Sequence, residues 1–257
     1  MTKKMLGVLV VVAAVIAAMM AVPGARSQGD QQPAIYTYVS QFNVPRASWA
    51  QYTADEEKTF IPVANKMLAD GSIVGYSTFE TMVHTVDGFT NGAAWSSPTI
   101  AGLMKMLEEL RKGGPRPGQV ASTKHEDLLM VTTMYEGNPA DKSTTGYLRV
   151  ICQNAKPERP EDYTTAMKKF LWPTFEEQLK SGSVTYFGVD AQYVNTSAPS
   201  MRCLVITYPN AEGMDKWAKA VAVALRKEGA DRDAFLGAVV PDSRRDFFAR
   251  ITHTAHK

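Results

Sequence analysis

Leu68-Ala69-Asp70-Gly71-Ser72 and Leu179-Lys180-Ser181-Gly182-Ser183 are one device written twice, 111 residues apart. Each closes a segment of helical periodicity that carries one proline, Pro62 or Pro173. Each then releases an apolar, β-prone run, Ile73–Phe79 or Val184–Val189. At that offset and without gaps, residues 36–105 match 147–216 at 15 of 70 positions. The matches fall at breakers, caps and core positions: Tyr36/Tyr147, Tyr52/Tyr163, Pro62/Pro173, Gly71/Gly182, Ser72/Ser183, Pro98/Pro209 and Gly102/Gly213. Asp127-Leu128-Leu129 aligns with Asp246-Phe247-Phe248 only if the second copy is eight residues longer before it. The sequence therefore reads as an internal duplication of one structural unit.

Working outward, Ile35–Phe42 alternates and reads as a strand, and Ser48–Ala69 reads as a helix kinked at Pro62. Ile73–His84 and Phe89–Ser96 read as a hairpin around Val86-Asp87-Gly88. A second helix starts at Ser97-Pro98-Thr99, with Pro98 suited to its first turn and Ile100, Leu103, Met104, Leu107 and Leu110 as its buried stripe. Gly113–Gly118 reads as a loop and Asp127–Tyr135 as a strand. After a polar linker, 137–145, the order returns. Gly146–Gln153 is a strand, Pro160–Lys180 a helix, and Val184–Val194 and Ser200–Tyr208 are strands. A helix capped by Asn210 runs to Lys227, Glu228–Arg244 is a long connection, and Asp246–Thr254 is the last strand. Each copy, 35–136 and 146–257, is β-α-β-β-α-β.

The first 27 residues differ in kind. Lys3 and Lys4 precede an uncharged apolar run from Leu6 to Val22, and Ala25 and Ser27 give a small-residue exit. This reads as a secretory signal peptide cut after Ser27, followed by a flexible segment, 28–34. An uncleaved membrane anchor is the competing reading, because the run approaches the length of a span. Without Lys3, Lys4 and Arg26, the remainder carries 25 basic and 26 acidic residues, so the whole-chain charge of +2 belongs to the leader. A near-neutral mature chain gives no electrostatic case for nucleic acid, and no membrane partner is expected after cleavage. The expected place is periplasmic or extracellular, where Cys152 and Cys203 could pair or simply be small buried residues.

A β-α-β-β-α-β unit makes a four-stranded antiparallel sheet with both helices on one face and leaves the other face bare. Two fused copies can press those bare faces together, so the expected fold class is α+β, two ferredoxin-like repeats forming an intramolecular α+β barrel. This resembles the dimeric α+β-barrel superfamily. The resemblance rests on element order and tandem duplication over 35–254, not on a motif. It implies activities such as those of antibiotic monooxygenases, haem-degrading enzymes, chlorite dismutases and muconolactone isomerases, and it leaves a homo-oligomer open. Haem degradation would ask for an Asn, a Trp and a following His. Asn43 and Trp95 match the first two loosely, but no His lies between Trp95 and His125. A chlorite-dismutase-like haem would need a proximal His in the second half, where only His253 and His256 stand. No cofactor and no metal site is expected, with haem not excluded.

The candidate residues follow. His84 closes a predicted strand and is the candidate acid or base, although a histidine there is more often a solvated polar group. Tyr36, Tyr38, Tyr76, Trp95, Tyr147, Arg149, Tyr186 and Arg202 lie on predicted strands and are the candidate ligand-binding residues of an intersheet pocket. They describe a filled core equally well. Arg149 and Arg202 are expected to sit near each other, where burial would ask for an acidic partner or an anionic ligand. No phosphate loop, G-x-S-x-G, H-E-x-x-H or carboxylate cluster is present. Three readings remain open: an exported binder of a small apolar or aromatic molecule, a cofactor-independent monooxygenase or isomerase, and a structural or assembly protein with a filled barrel.

Overall fold

The computed structural model describes residues 32–257 apart from 84, 86, 139–140, 142, 157, 159 and 195–199. The expected signal peptide, and His84, lie outside the described residues. The first repeat contains β1 (Ile35–Asn43), α1 (Trp49–Asp55), a π-helical turn (Glu56–Phe60), α2 (Ile61–Ala69), β2 (Gly75–Thr81), β3 (Asn91–Ser97), α3 (Ile100–Lys112), the short α4 (Pro117–Val120) and β4 (Lys124–Gly137). The second contains β5 (Gly146–Asn154), α5 (Pro160–Phe170), α6 (Trp172–Lys180), β6 (Tyr186–Gln192), β7 (Met201–Tyr208), α7 (Ala211–Arg226), α8 (Ala230–Gly237) and β8 (Arg245–His256).

Around Pro62, where a kink or restart was expected, the helix changes winding without a gap, and before Pro173 it restarts after Leu171. Pro62 and Pro173 stand in the first turn of α2 and α6, where a residue without an N–H leaves no bond unmade. The π-helical turn absorbs the change in the first copy, and Leu171 does so in the second. Two expected loops carry short helices instead, α4 within 113–118 and its surroundings, and α8 within 228–244. Pro98 lies one residue outside its helix, because Thr99 is the cap.

The duplicated residues lock each repeat in the same way. Gly71 and Gly182 end α2 and α6 with φ of +81° and +73°, the left-handed region that favours glycine. The next residue, Ser72 or Ser183, presents its backbone carbonyl to the first turn of α3 or α7. A Cβ on Gly102 would stand 2.1 Å from the Ser72 oxygen, and one on Gly213 would stand 2.3 Å from the Ser183 oxygen. The same turns are capped by Thr99 Oγ1 and Asn210 Oδ1, which accept from the amides of Gly102 and Gly213 at 3.1 and 2.9 Å.

The eight strands form one closed antiparallel barrel in the order β1-β3-β2-β8-β5-β7-β6-β4. Within it each repeat keeps the ferredoxin-like order, β4-β1-β3-β2 and β8-β5-β7-β6. The copies join at two seams, β2 with β8 and β4 with β6. Closure leaves no open sheet edge. Each seam carries a register shift at the equivalent place, between Thr132 and Met134 in β4 and opposite Thr78 and Phe79 in β2.

Most of the sheet is therefore covered on both faces, with outward ends of β4 and β8 left exposed at His125, Asp127 and Arg250. Outward faces pack under helices in two cores, one around Phe60, Met67, Trp95, Leu103 and Met106, the other around Tyr163, Phe175, Phe187, Tyr208 and Trp217. The inward faces meet in an apolar plug of Phe79, Leu148, Ala249 and Ile251, with Val39, Val150, Val205 and Phe247 against it. Cys152 and Cys203 sit opposite each other on β5 and β7 and are joined by a disulfide on the inward face.

Candidate functional site

The strand register sorts the sequence candidates by face. Of the eight ligand-binding candidates, only Tyr186 points into the barrel, where its hydroxyl lies over Gly188. Burial, with Asp190 nearby, pushes that phenol well up. The others belong to the helix-covered side. Tyr36, Tyr38, Tyr76 and Trp95 pack into the first helical core. Trp95 stacks on Tyr38 with ring centroids 4.6 Å apart, and its Nε1 donates to the Leu103 carbonyl. Tyr147 stacks on Phe248. The intersheet wall expected from these aromatics is instead the layer between sheet and helices.

Arg149 and Arg202 share that outer face but are not neighbours. Arg149 stands opposite Ile206 and Arg202 opposite Gln153, four positions apart along the strand, or about 13 Å. Arg149 pairs with Asp246 at 2.7 Å and lies over the Trp217 ring. Arg202 is different. It is half-buried, its described hydrogen bond goes to the carbonyl of adjacent Met201, and it has no carboxylate partner among the described residues.

Arg202 borders a recess at the β4–β6 seam. Register places Val131 opposite Ala191, Met134 opposite Val189 and Ala191 opposite Arg202, all on the outward face. Thr164 of α5 closes the space from above, and the recess measures about 130 Å³. Four aliphatic side chains, one hydroxyl and one guanidinium thus surround a space close to the roughly 150 Å³ of an engineered apolar cavity that holds benzene. Beside it is Tyr163, whose phenol burial drives far up while the Arg202 charge draws it back. Inside the barrel, behind the same strands, Asp190 is buried against the Thr132 hydroxyl, which donates to it. Burial pushes that carboxyl up to about 6.

The sequence did not single out the recess because its lining is ordinary: aliphatic residues on two strands from different repeats. The signal for it was Arg202 standing in an otherwise apolar strand.

No protein-family model matches the sequence, and no curated protein matches it. Solved structures match it as folds. A "putative monooxygenase" from Lactobacillus acidophilus NCFM is 13% identical with a TM-score of 0.58, over 88% of this chain and 97% of the other. A "putative monooxygenase" from Fusobacterium nucleatum is 9% identical with a TM-score of 0.61, over 87% and 94%. An anthrone oxidase-like protein is 12% identical with a TM-score of 0.54, over 88% and 94%. The chain has the dimeric α+β-barrel fold. In this α+β barrel both halves belong to one polypeptide, which is why its seams can differ. At these identities the likeness shows the fold alone.

The donors that the resemblance names for haem do not come together among the described residues. Trp95 is in the helical core, whereas Asn43, five residues along β1 from the partner of Trp95, falls on the opposite face. His253 is bonded through Nε2 to the Tyr76 hydroxyl at 3.1 Å and stacked on its ring. His256 is exposed at the end of β8. Among the described residues no group of three or more His, Cys, Asp or Glu is placed to hold a metal ion. Ser40, His125 and Asp127 form a short chain, but both neighbours meet the same ring nitrogen, Nε2. A nucleophile–base–acid relay needs the two nitrogens separately, so this chain is not one.

Proposed function

We propose that the protein is exported and binds a small, mostly apolar molecule bearing an acidic group, in the recess between β4, β6, β7 and α5. The observation that carries this is Arg202, a half-buried guanidinium with no carboxylate partner among the described residues, facing an aliphatic recess. A guanidinium in such a place recognises a carboxylate with both of its N–H edges. The volume suits one ring, and Val131, Met134, Val189 and Ala191 give that ring apolar walls. The leader-like start and the disulfide support export, since disulfides persist in oxidising compartments. The reading puts the site outside the barrel, since Phe79, Leu148, Ala249 and Ile251 pack together between the sheets. That plug also supports a purely structural reading, which the same experiment tests.

Benzoate is the probe. Calorimetric titration should give saturable binding to the wild type and a loss of about tenfold or more for Arg202→Gln, as one charge-assisted contact is removed. Val189→Phe should abolish binding by filling the recess. Equal affinity in all three proteins, or no binding to the wild type, would sink the proposal. A second reading adds turnover at the same recess, favoured by the names of the fold neighbours. Oxygen uptake with an electron-rich phenol as substrate, lost in Val189→Phe, separates a cofactor-independent monooxygenase from a binder. An isomerase would turn over without oxygen.

A further inference from the structure

A different set of groups converges in the first repeat, outside the recess. Tyr52 ends one turn of α1, and Glu56 opens the π-helical turn four residues later, so both project from the same side of the helix. Both are more than nine-tenths buried, with 1% and 7% of their surface exposed. The Tyr52 hydroxyl and Glu56 Oε1 have no partner of hydrogen-bonding geometry among the described residues. Over them lies the segment that carries α4. It is fastened by the Gly118 amide, which donates to Asp55 Oδ2 at 2.6 Å, with Gln51 holding the other oxygen of Asp55. A Cβ on Gly118 would stand 2.5 Å from the Tyr52 Cα, so cover and helix are in direct contact. Arg116 comes down from this cover, close enough for its charge to act on Tyr52, Glu56 and Asp55, yet it forms no ion pair among the described residues.

Two buried polar groups with no well-formed hydrogen bond, close to each other, to Gln119 and to a partly buried guanidinium, are costly unless something engages them. A π-helical turn at the same spot is a further cost, and such turns concentrate at functional sites. We propose that Tyr52, Glu56 and Arg116 form a binding site for a small carboxylate, enclosed by the α4 segment and separate from the Arg202 recess. The chemistry is that of converging donors. Burial pushes the Glu56 carboxyl up to about 8, with Tyr52 and Arg116 pulling it back and Glu57 adding to the rise. At neutral pH Glu56 therefore carries its proton and donates, as the Tyr52 hydroxyl and the Arg116 guanidinium do. A neutral carboxylic acid beside a phenol is a recognised way to hold a negative oxygen in an apolar setting. No proton needs to move on binding. The anion's charge is balanced by Arg116, and Asp55 is kept away from it by its own two hydrogen bonds. Repeat 2 has no such site, because Met167 stands where Glu56 does.

The test uses the mature protein with acetate as probe and acetamide as its neutral control, read from the Gly118 amide in proton–nitrogen NMR spectra. Acetate should shift this signal saturably at about pH 6. Its affinity should fall about tenfold by about pH 9, where ionised Glu56 repels it. Acetamide should neither bind nor compete. Glu56→Gln keeps a donor and should bind acetate with the same affinity at both pH values. Arg116→Gln should lose about tenfold or more at the lower pH, and Tyr52→Phe should lose less. Absence of saturable acetate binding, pH-independent binding by the wild type, or unchanged affinity in Arg116→Gln would each overturn the proposal. Should Arg116→Gln fail to fold, the nearly isosteric Glu56→Gln decides by its pH dependence alone.

Discussion

The two seams of the barrel are the same structure built with opposite chemistry. At the β4–β6 seam, Val131 faces Ala191 and Met134 faces Val189, and a recess remains beside Arg202. At the β2–β8 seam the equivalent places hold Arg250 facing Glu80 and His253 facing Thr78. There Arg250 pairs with Glu80 at 2.9 Å, and Thr78 bonds Thr252. His253 engages Tyr76, whose hydroxyl donates to Asn65. Polar side chains meeting each other fill one seam; aliphatic side chains meeting each other leave the other partly open. The buried tyrosines repeat the lesson. Tyr52 has Glu56 one turn on and Arg116 above; Tyr163 has Met167 one turn on and Arg202 below. Duplication preserves what holds the fold, the glycine turns and caps, and frees the layer between sheet and helices to differ in each copy.

The largest effect is expected from copying the first repeat's acid into the second. Met167→Glu would bury a carboxyl in the apolar core around Tyr163, Phe175 and Trp217 and should cost about 3 kcal/mol or more, increasingly so as pH rises. Denaturant unfolding measures this, and a neutral result would mean that the second core is wetter than its burial indicates.

Neutralising the first repeat's acid sharpens the comparison through pH. The folded-state value of Glu56 is raised, so its contribution to stability is fully present below the ordinary carboxylate range. That contribution is lost as pH rises towards about 8. Asp190, raised to about 6, acts in the same direction over a narrower window. Asp246, lowered to about 2 by Arg244 and Arg149, acts oppositely, its contribution disappearing only in strong acid. Unfolding free energy should therefore decline between about pH 5 and about pH 8, and Glu56→Gln should flatten most of that decline. An unchanged slope in the variant would place the titration elsewhere.

The smallest effect on stability comes from transplanting the polar seam. Val131→Arg with Ala191→Glu should change stability by less than about 1 kcal/mol, since partly exposed ion pairs contribute little. It should nevertheless close the recess and abolish benzoate binding. Retained binding would show that the seam is not the site.

Much of the fold was legible because backbone constraints leave exact residues behind. Gly71, Ser72 and Gly102 recur as Gly182, Ser183 and Gly213, as each copy needs a left-handed turn and a close carbonyl–helix approach. The facing of the strands was not legible. In β1, alternation separates Tyr36 and Tyr38 from Thr37 and Val39, but the barrel buries one set under helices and the other against the plug. Apolar character therefore does not mark the interior: of the candidate strand aromatics Tyr186 faces inward, whereas Tyr36, Tyr38, Tyr76, Trp95 and Tyr147 lie under the helices. Glu56 was invisible for a related reason. A glutamate among Asp55, Glu57 and Lys58 reads as a solvated helix face, and only the α4 cover, drawn from 60 residues further along, buries it. Arg202 was legible as an oddity, but its distance from Arg149 depends on a register that composition does not fix.

The most direct measurement is a crystal structure of the mature protein soaked with benzoate. The ring should lie between Val131, Met134, Val189 and Ala191, with its carboxylate on Arg202 and the β2–β8 seam unchanged. Benzoate inside the barrel beside the plug, or at the Glu80–Arg250 seam instead, would contradict this.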